Sequence, residues 1–393
     1  MKSRPLAIFL QFLWLGCTSF GGPIAHIGIF RQQFVEKEQR ISESDYASLV
    51  ALCQTIPGPA SSQVGMGLGY RFAGWRGASA AWLGFTLPSA AIMLFAGLWI
   101  LNGGGTSGGA WFITAMKLVA VGIVTEAVLG VWKQLCVDRE TKIMALITAV
   151  AFYSTPTVLM QVGVIAIALV AGYVLASDSD TKMTQPIRIH RNHLLASMVI
   201  GVAWMLGIVA ALSVTEGNVW AELIAGHYIS GALVFGGGHV VLPLLESEFV
   251  PPIDSSVFIA GYGFAQAMPG PLFTIASYLG AVMMTDSPFV AATVGVFAIF
   301  VPGAMLLSIV LMAGDRLTLS HWKSRLVFVN AAVVGLLFTI LINPVFTEAV
   351  YSEVTTGLAA LSLLTCVVLK RSSLELVGVM VIATYLCHWL EWF

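Results

Sequence analysis

Charge is scarce in this chain. Of 393 residues only 10% are Asp, Glu, Lys or Arg, and they nearly cancel to a formal net charge of −1. That excludes the basic footprint of a nucleic-acid-binding protein. Cysteine is scarce too. Cys17, Cys53, Cys136, Cys366 and Cys387 stand apart in or beside apolar sequence with no Cys-x-x-Cys, so they read as small core residues rather than a disulfide or metal framework. No Gly-Lys-Ser/Thr is present, which removes a nucleotide-hydrolysing P-loop. No His-Glu-x-x-His or Gly-x-Ser-x-Gly is present either, which leaves an intramembrane enzyme without a nucleophile or metal constellation. The chain is expected not to be an enzyme and to need no cofactor or metal.

What the chain has is apolar length. Hydrophobic residues make up 58% of it, and mean hydropathy is +0.89. Runs long enough to span a bilayer recur at 78–101, 111–131, 194–214 and 289–313. Lys2 and Arg4 precede the first apolar run, but no small-residue cleavage site follows, so the segment reads as retained.

Inside this sequence one phrase is written twice. Gln54-Thr-Ile-Pro57-Gly58-Pro59 matches Gln266-Ala-Met-Pro269-Gly270-Pro271, and upstream Phe20-Gly21-Gly22-Pro23 matches Phe235-Gly236-Gly237-Gly238. The spacings are nearly constant: 215 for Phe20 and Phe235, 212 for Gln54 and Gln266, 214 for Pro88 and Pro302. Gly and Pro break helices. Irregular backbone in a membrane costs several kcal/mol per unsatisfied group unless it lines a cavity or site. A duplicated, interrupted apolar pattern is the sequence pointer to a transporter's binding site.

Lys and Arg in the connections set the orientation. Lys133, Arg139 and Lys142, then Lys182, Arg188 and Arg191, then Arg316, Lys323 and Arg325, and finally Lys370 and Arg371 mark cytoplasmic loops. The connections 102–110, 154–156, 214–218 and 347–353 hold neither Lys nor Arg and belong outside. The run 78–101 then leads outward and its counterpart 289–313 inward, so the copies are inverted. The expected fold is all-α: a polytopic membrane protein of two inverted-topology repeats with helices interrupted at the Phe-Gly-Gly and Pro-Gly-Pro motifs. Residues 1–176 form the first repeat, 177–218 a basic cytoplasmic linker with an orienting span, and 219–393 the second repeat. The N-terminus is expected in the cytoplasm and the C-terminus outside. The interrupted stretches 6–35, 46–72, 219–248 and 256–284 read either as broken spans, giving 13 crossings, or as re-entrant hairpins, giving nine; charge leans toward hairpins.

Pro59 and Pro271 suit a first helical position. The N–H groups that follow, with Ser61, Ser62 and Thr274, would form an anion site at a positive helix end. A packing break would also explain one such motif; two in register with the same preceding Gln favour a site. His26 and His239 follow the Phe-Gly-Gly turns at different offsets and read as anion donors or as interior histidines. Glu126, in mid-span, is a candidate proton carrier or a structural hydrogen-bonding group. Lys117 lies on the opposite face of that helix near its outer end, where it can snorkel. Arg71 and Arg76 after the first Pro-Gly-Pro have no counterpart in the second copy; they could steer anions or anchor the cytoplasmic side.

Taken together, these residues resemble the chromate ion transporter family in its long, two-half form. The resemblance covers nearly the whole sequence. It rests on 20–26 (Phe-Gly-Gly-Pro-Ile-Ala-His), 53–63 (Cys-Gln-Thr-Ile-Pro-Gly-Pro-Ala-Ser-Ser-Gln), 74–78 (Gly-Trp-Arg-Gly-Ala), 85–89 (Phe-Thr-Leu-Pro-Ser), 235–245 and 268–272. Arg40 departs from it, since similar proteins commonly have Trp there. The resemblance implies export of chromate, with sulfate as a structural analogue, coupled to the proton gradient and conferring chromate resistance. The implied partners are a chromate- or sulfate-like oxyanion and the lipid bilayer of the cell's inner membrane; a homodimer is left open. Sulfate transport and a passive anion channel are the alternatives.

Overall fold

The structure is a computed structural model that describes residues 4–104, 109–175, 194–215, 217–235, 238–250, 252–313 and 320–392. The basic loops 177–193 and 314–319 lie outside the described residues. Among the described residues every regular element is helical. The first repeat runs α1 (Pro5–Thr18), α2 (Gly22–Arg31, extended by a π-helix Gln32–Lys37), α3 (Glu43–Thr55), α4 (Ala60–Trp99), α5 (Ala110–Leu135), α6 (Arg139–Ser154) and α7 (Val158–Leu175). After α8 (Leu194–Leu212), the second runs α9 (Val219–Ala232), α10 (Val241–Phe249), α11 (Ser255–Ala267), α12 (Ile275–Met283), α13 (Pro288–Ala313) and α14 (Ser320–Ile340). It ends with a single turn α15 (Thr347–Ala349), then α16 (Glu353–Leu363) and α17 (Ser373–Trp389). Among the described residues five helices are long and apolar enough to cross a membrane.

Local chemistry sets the ends. Ser42 accepts from the Asp45 N–H ahead of α3, Asp254 accepts from the N–H groups of Ser256 and Val257 ahead of α11, and Ser352 and Ser372 close capping boxes on α16 and α17. Within α4 the helix breaks at Ala73 and Gly74, where Gly74 takes φ 65 and ψ −154, so residues 60–72 and 75–99 are two arms. Pro59 and Pro271 stand one residue outside the helices that follow them, as caps rather than at the first helical position.

Contacts between distant residues choose hairpins over broken spans. Arg71, at the end of the first arm of α4, hydrogen-bonds Asp45 in the first turn of α3. In a continuous broken span these two would lie about 39 Å apart. Gln11 of α1 likewise bonds Glu38 beyond α2, and Phe12 stacks on Phe34 at 5.4 Å. In the second repeat His227 of α9 packs on Phe249 of α10 at 4.4 Å, and the Tyr278 hydroxyl of α12 donates to the Val257 carbonyl of α11 at 2.9 Å. Each interrupted stretch therefore folds back on itself. Outside the folded-back stretches lie the second arm of α4 and α5, α6, α7, α8, α13, α14, α16 and α17.

The same contacts establish inversion. Ser277 donates to the Ala90 carbonyl at 2.8 Å, and Gly97 lies against Ala281, so α12 runs parallel to the second arm of α4. Gly280 lies against Ala291 and Gly295 against Ala276, so α13 runs antiparallel to α12. Hence α13 opposes its sequence counterpart in α4.

The repeats exchange partners rather than stand side by side. α5 packs on α11, α16 and α17 of the second repeat, while α14 packs on α6 and α7 of the first. The exchange is symmetric in detail: Gly122 meets Ser362 as Gly335 meets Thr148, pairs related by offsets of 213 and 214. Small residues at these crossings let the backbones approach closely. The largest buried cluster accordingly mixes Met116, Val119 and Val124 with Phe258, Leu336 and Leu376.

Candidate functional site

The hairpin tips meet at the centre of this arrangement. Where α1 ends, the Ser19 carbonyl accepts from the Gly270 N–H of the second Pro-Gly-Pro at 2.8 Å. Where α9 ends, the Val234 carbonyl accepts from the Gly58 N–H of the first at 2.8 Å. Residues 19 and 234, and 58 and 270, are repeat equivalents, so each repeat's Pro-Gly-Pro is tied to the other repeat's first hairpin. The N–H groups so held are those of the middle glycine of each Pro-Gly-Pro, and not the ones after Pro59 and Pro271 to which the sequence pointed. Both glycines need their identity: Gly58 holds φ +126 and Gly270 φ +91, and a Cβ would come within 2.9 Å of the Gly303 Cα or 2.7 Å of the Ser89 Oγ.

Around these ties the two repeats differ in chemistry. Among the described residues, Trp82 Nε1 and Thr148 Oγ1 of the first repeat are buried without a hydrogen-bond partner, and so, in α2, α4 and the turn after α1, are five further side-chain atoms: Ser19 Oγ, His26 Nδ1, Ser62 Oγ, Gln63 Oε1 and Thr86 Oγ1. The equivalents of these five are Val234, Val241, Thr274, Ile275 and Phe300. Of those only Thr274 is polar, and its hydroxyl donates back to the Pro271 carbonyl at 2.8 Å. The second repeat has its own unpaired buried atoms on His227, Ser230, Glu246 and Glu248, but none at these five positions. Buried polar groups are rarely left without partners, so these five mark the tips as a candidate site.

The other expected site residues fall in varied places. Pro59, Pro269, Pro271, Ser61 and Ser62 are buried at the tips, Phe20, Gly22, Pro57 and Phe235 are half-buried there, and Gly21 and Gln54 are exposed. Gln266 hydrogen-bonds Tyr262 one turn back in α11. Gly238 is buried, and a Cβ on it would meet Pro23 of the other tip at 2.7 Å, so the two Phe-Gly-Gly turns touch. Gly236, Gly237 and the side chain of His239 lie outside the described residues. His227 is the repeat equivalent of Phe12 and takes its place against Phe249, the equivalent of Phe34.

Farther out, Arg71 is occupied by Asp45, while Arg76 is exposed. Arg71 and Arg40 line an open groove of about 410 Å³ with Val35, Gln39, Ile41, Ser42 and Glu43. Arg40 lays its guanidinium 3.7 Å from the Phe72 ring centroid, a cation–π contact. A hydrogen bond from Arg31 holds the Glu43 carboxyl below its usual range. Glu126 is exposed on α5 and accepts from the Cys366 thiol at 2.9 Å, beside a π-helix spanning Leu364–Val368. Lys117 does not snorkel. It is buried and donates to Ser256 Oγ at 3.0 Å with its ammonium 5.3 Å from the Tyr351 ring, because α11 packs over α5 and supplies the hydroxyl.

Sequence reasoning from single motifs passed over Ser19, Gln63 and Thr86. The signal that could have found them is a polar residue in one repeat set against an apolar one at constant offset in the other.

A family model described as chromate transporter matches residues 6–176 and 221–388. The chain is 28% identical over 301 residues to a chromate transport protein of Pseudomonas aeruginosa, covering 74% of this chain and 69% of that one. It is 26% identical over 300 residues to a probable chromate transport protein of Synechococcus elongatus, covering 75% and 72%. It is 25% identical over 347 residues to an uncharacterized transporter of Methanocaldococcus jannaschii, covering 86% and 84%. No solved structure matches it significantly.

Proposed function

This chain belongs to the chromate transporter family; we propose that it is a secondary transporter that exports chromate across the cytoplasmic membrane and so confers chromate resistance. The observation that carries this reading is the reciprocal tie of the hairpin tips, with five unpaired polar atoms of the first repeat gathered around it. Hydroxyls at Ser19, Ser62 and Thr86 would donate to the oxyanion, and the Pro-Gly-Pro and Phe-Gly-Gly backbones would shape the site. Because each repeat holds the other's tip, a rocking of one inverted repeat against the other would open the site to alternate sides.

Electrostatics favours export whichever way the chain is oriented. A dianion leaving a negative interior gains about 2.3 kcal/mol per charge per 100 mV, or roughly 4.6 kcal/mol. That supports more than a thousandfold gradient without ATP. Arg71 and Arg76 would gather anions at the inner mouth, and Glu126 would carry protons for exchange. Sulfate presents the same tetrahedral oxygens, so hydroxyl donors alone would separate the two poorly. Uptake of chromate and sulfate by inverted vesicles tests the proposal, with wild type compared against Pro57→Ala and Pro269→Ala. Transport untouched by either substitution would remove the tips as the site. Uptake that persists after potential and ΔpH are both collapsed would remove the proposed energy source.

A further inference from the structure

Two of the five unpaired atoms are acceptors, one through a fixed amide and one in the neutral form of its ring. Gln63 is wholly buried, and its Nε2 donates to the carbonyls of Pro57 and Gly303, each at 3.0 Å. A flipped amide would set oxygen against two carbonyl oxygens, so the orientation is fixed and Oε1 is the atom left unpaired. His26 is 1% exposed, with Nε2 3.2 Å from the Ser19 carbonyl. A carbonyl only accepts, so Nε2 carries a proton; in the neutral ring Nδ1 is then a bare lone pair, and it too is unpaired. Around His26, α1 presents that carbonyl and α4 the Phe85 ring at 5.2 Å. Of the titratable groups of α3, Tyr46 is bonded to the Ile27 carbonyl, Cys53 is buried, and Glu43 and Asp45 stand in its first turn. Arg31, Glu36 and Glu43 pair with one another at the hairpin's charged end, as do Arg71 and Asp45.

A fully deprotonated oxyanion offers only acceptors and would face these two atoms with lone pair against lone pair. Resting on the reading of the tips as the substrate site, we propose that the protein binds its oxyanion together with one proton, as the monoprotonated ion. Its hydroxyl donates to His26 Nδ1 or Gln63 Oε1, and its remaining oxygens accept from Ser19, Ser62 and Thr86. Chromate takes up a proton near neutral pH, whereas sulfate does so only in strong acid. A required proton therefore separates two tetrahedral ions that hydroxyl donors cannot, and the species moved carries one negative charge instead of two.

Proton uptake on binding tests this independently of transport. Full-length protein in weakly buffered detergent solution, held above the pH at which free chromate is protonated, is titrated with chromate and separately with sulfate. About one proton should be taken up per chromate bound, with sulfate bound at least ~10-fold more weakly. His26→Phe and Gln63→Met should each lower that discrimination by roughly 10-fold, the scale of one buried hydrogen bond. Saturable chromate binding without proton uptake, or equal affinity for sulfate, overturns the proposal and leaves the transporter reading intact. Absence of saturable binding by either ion brings down both. Should the variants fail to fold, the wild-type proton count decides.

Discussion

The two repeats hold the same backbone atoms in the same relation and clothe them differently. Gly58 N–H reaches Val234 and Gly270 N–H reaches Ser19, both at 2.8 Å. Phe12 packs on Phe34 as His227 packs on Phe249. Yet the polar atoms without partners at the crossing come from Ser19, His26, Ser62, Gln63 and Thr86 of one repeat, against Val234, Val241, Ile275 and Phe300 in the other. The difference teaches that a shared backbone frame survives duplication while side chains diverge, because backbone bonds do not depend on side-chain identity; at these positions the polar lining belongs mainly to one wall, that of the first repeat.

Substitutions at equivalent positions put that comparison at risk. The largest effect is expected at the glycines. Gly58→Ala combines a left-handed backbone worth about 1–2 kcal/mol with a contact onto the Gly303 backbone, which cannot move aside; oxyanion uptake should fall more than ~100-fold. Gly270→Ala meets the Ser89 hydroxyl, which can rotate away, so its loss should stay nearer ~10-fold. Equal losses would mean that both ties bear the same constraint. Next comes the lined wall. Gln63→Ile, which gives the first repeat the residue of the second, should raise the KM for chromate in inverted vesicles by roughly 10–100-fold. Thr274→Val, at a hydroxyl already bonded to its own turn, should change it less than about fivefold. If the two variants behave alike, the polarity of the first repeat is not what binds.

Glu126→Gln should abolish the acceleration given by an imposed ΔpH while leaving potential-driven uptake in place. Its equivalent Thr339 is bonded to the carbonyls of Gly335 and Ala149 and offers no such proton site. The smallest effects lie at the charged rim. Arg71→Ala breaks an ion pair whose partners are 42% and 41% exposed, worth at most about 1 kcal/mol, so KM should shift less than about fivefold. Glu43 is held below its usual pKa by Arg31, so its contribution is present above the ordinary carboxylate range and is lost as pH falls through the depressed value. Melting temperature should accordingly dip only in acid, and Arg31→Gln should flatten the dip.

Much of the frame is legible in the residue string. Gly and Pro placed the four interruptions, and loop Lys and Arg gave the inversion that the run of α4, α12 and α13 displays. Charge leaned toward hairpins but could not choose them. The choice lay in Arg71 meeting Asp45 and Tyr278 meeting Val257, contacts that one-dimensional charge counting does not contain. Lys117 was misjudged for the same reason: its hydroxyl partner Ser256 sits 139 residues away.

By itself, then, the sequence determined a membrane-embedded duplicated chain, the points at which its helices break, and the family to which it belongs. Those follow from composition, helix-breaking residues and spacing, all of them local properties. Tertiary structure decided which tip N–H groups are consumed and which side-chain atoms stay unpaired. A hydrogen bond is satisfied or not by a partner from the opposite repeat, and no local pattern records where that partner lies.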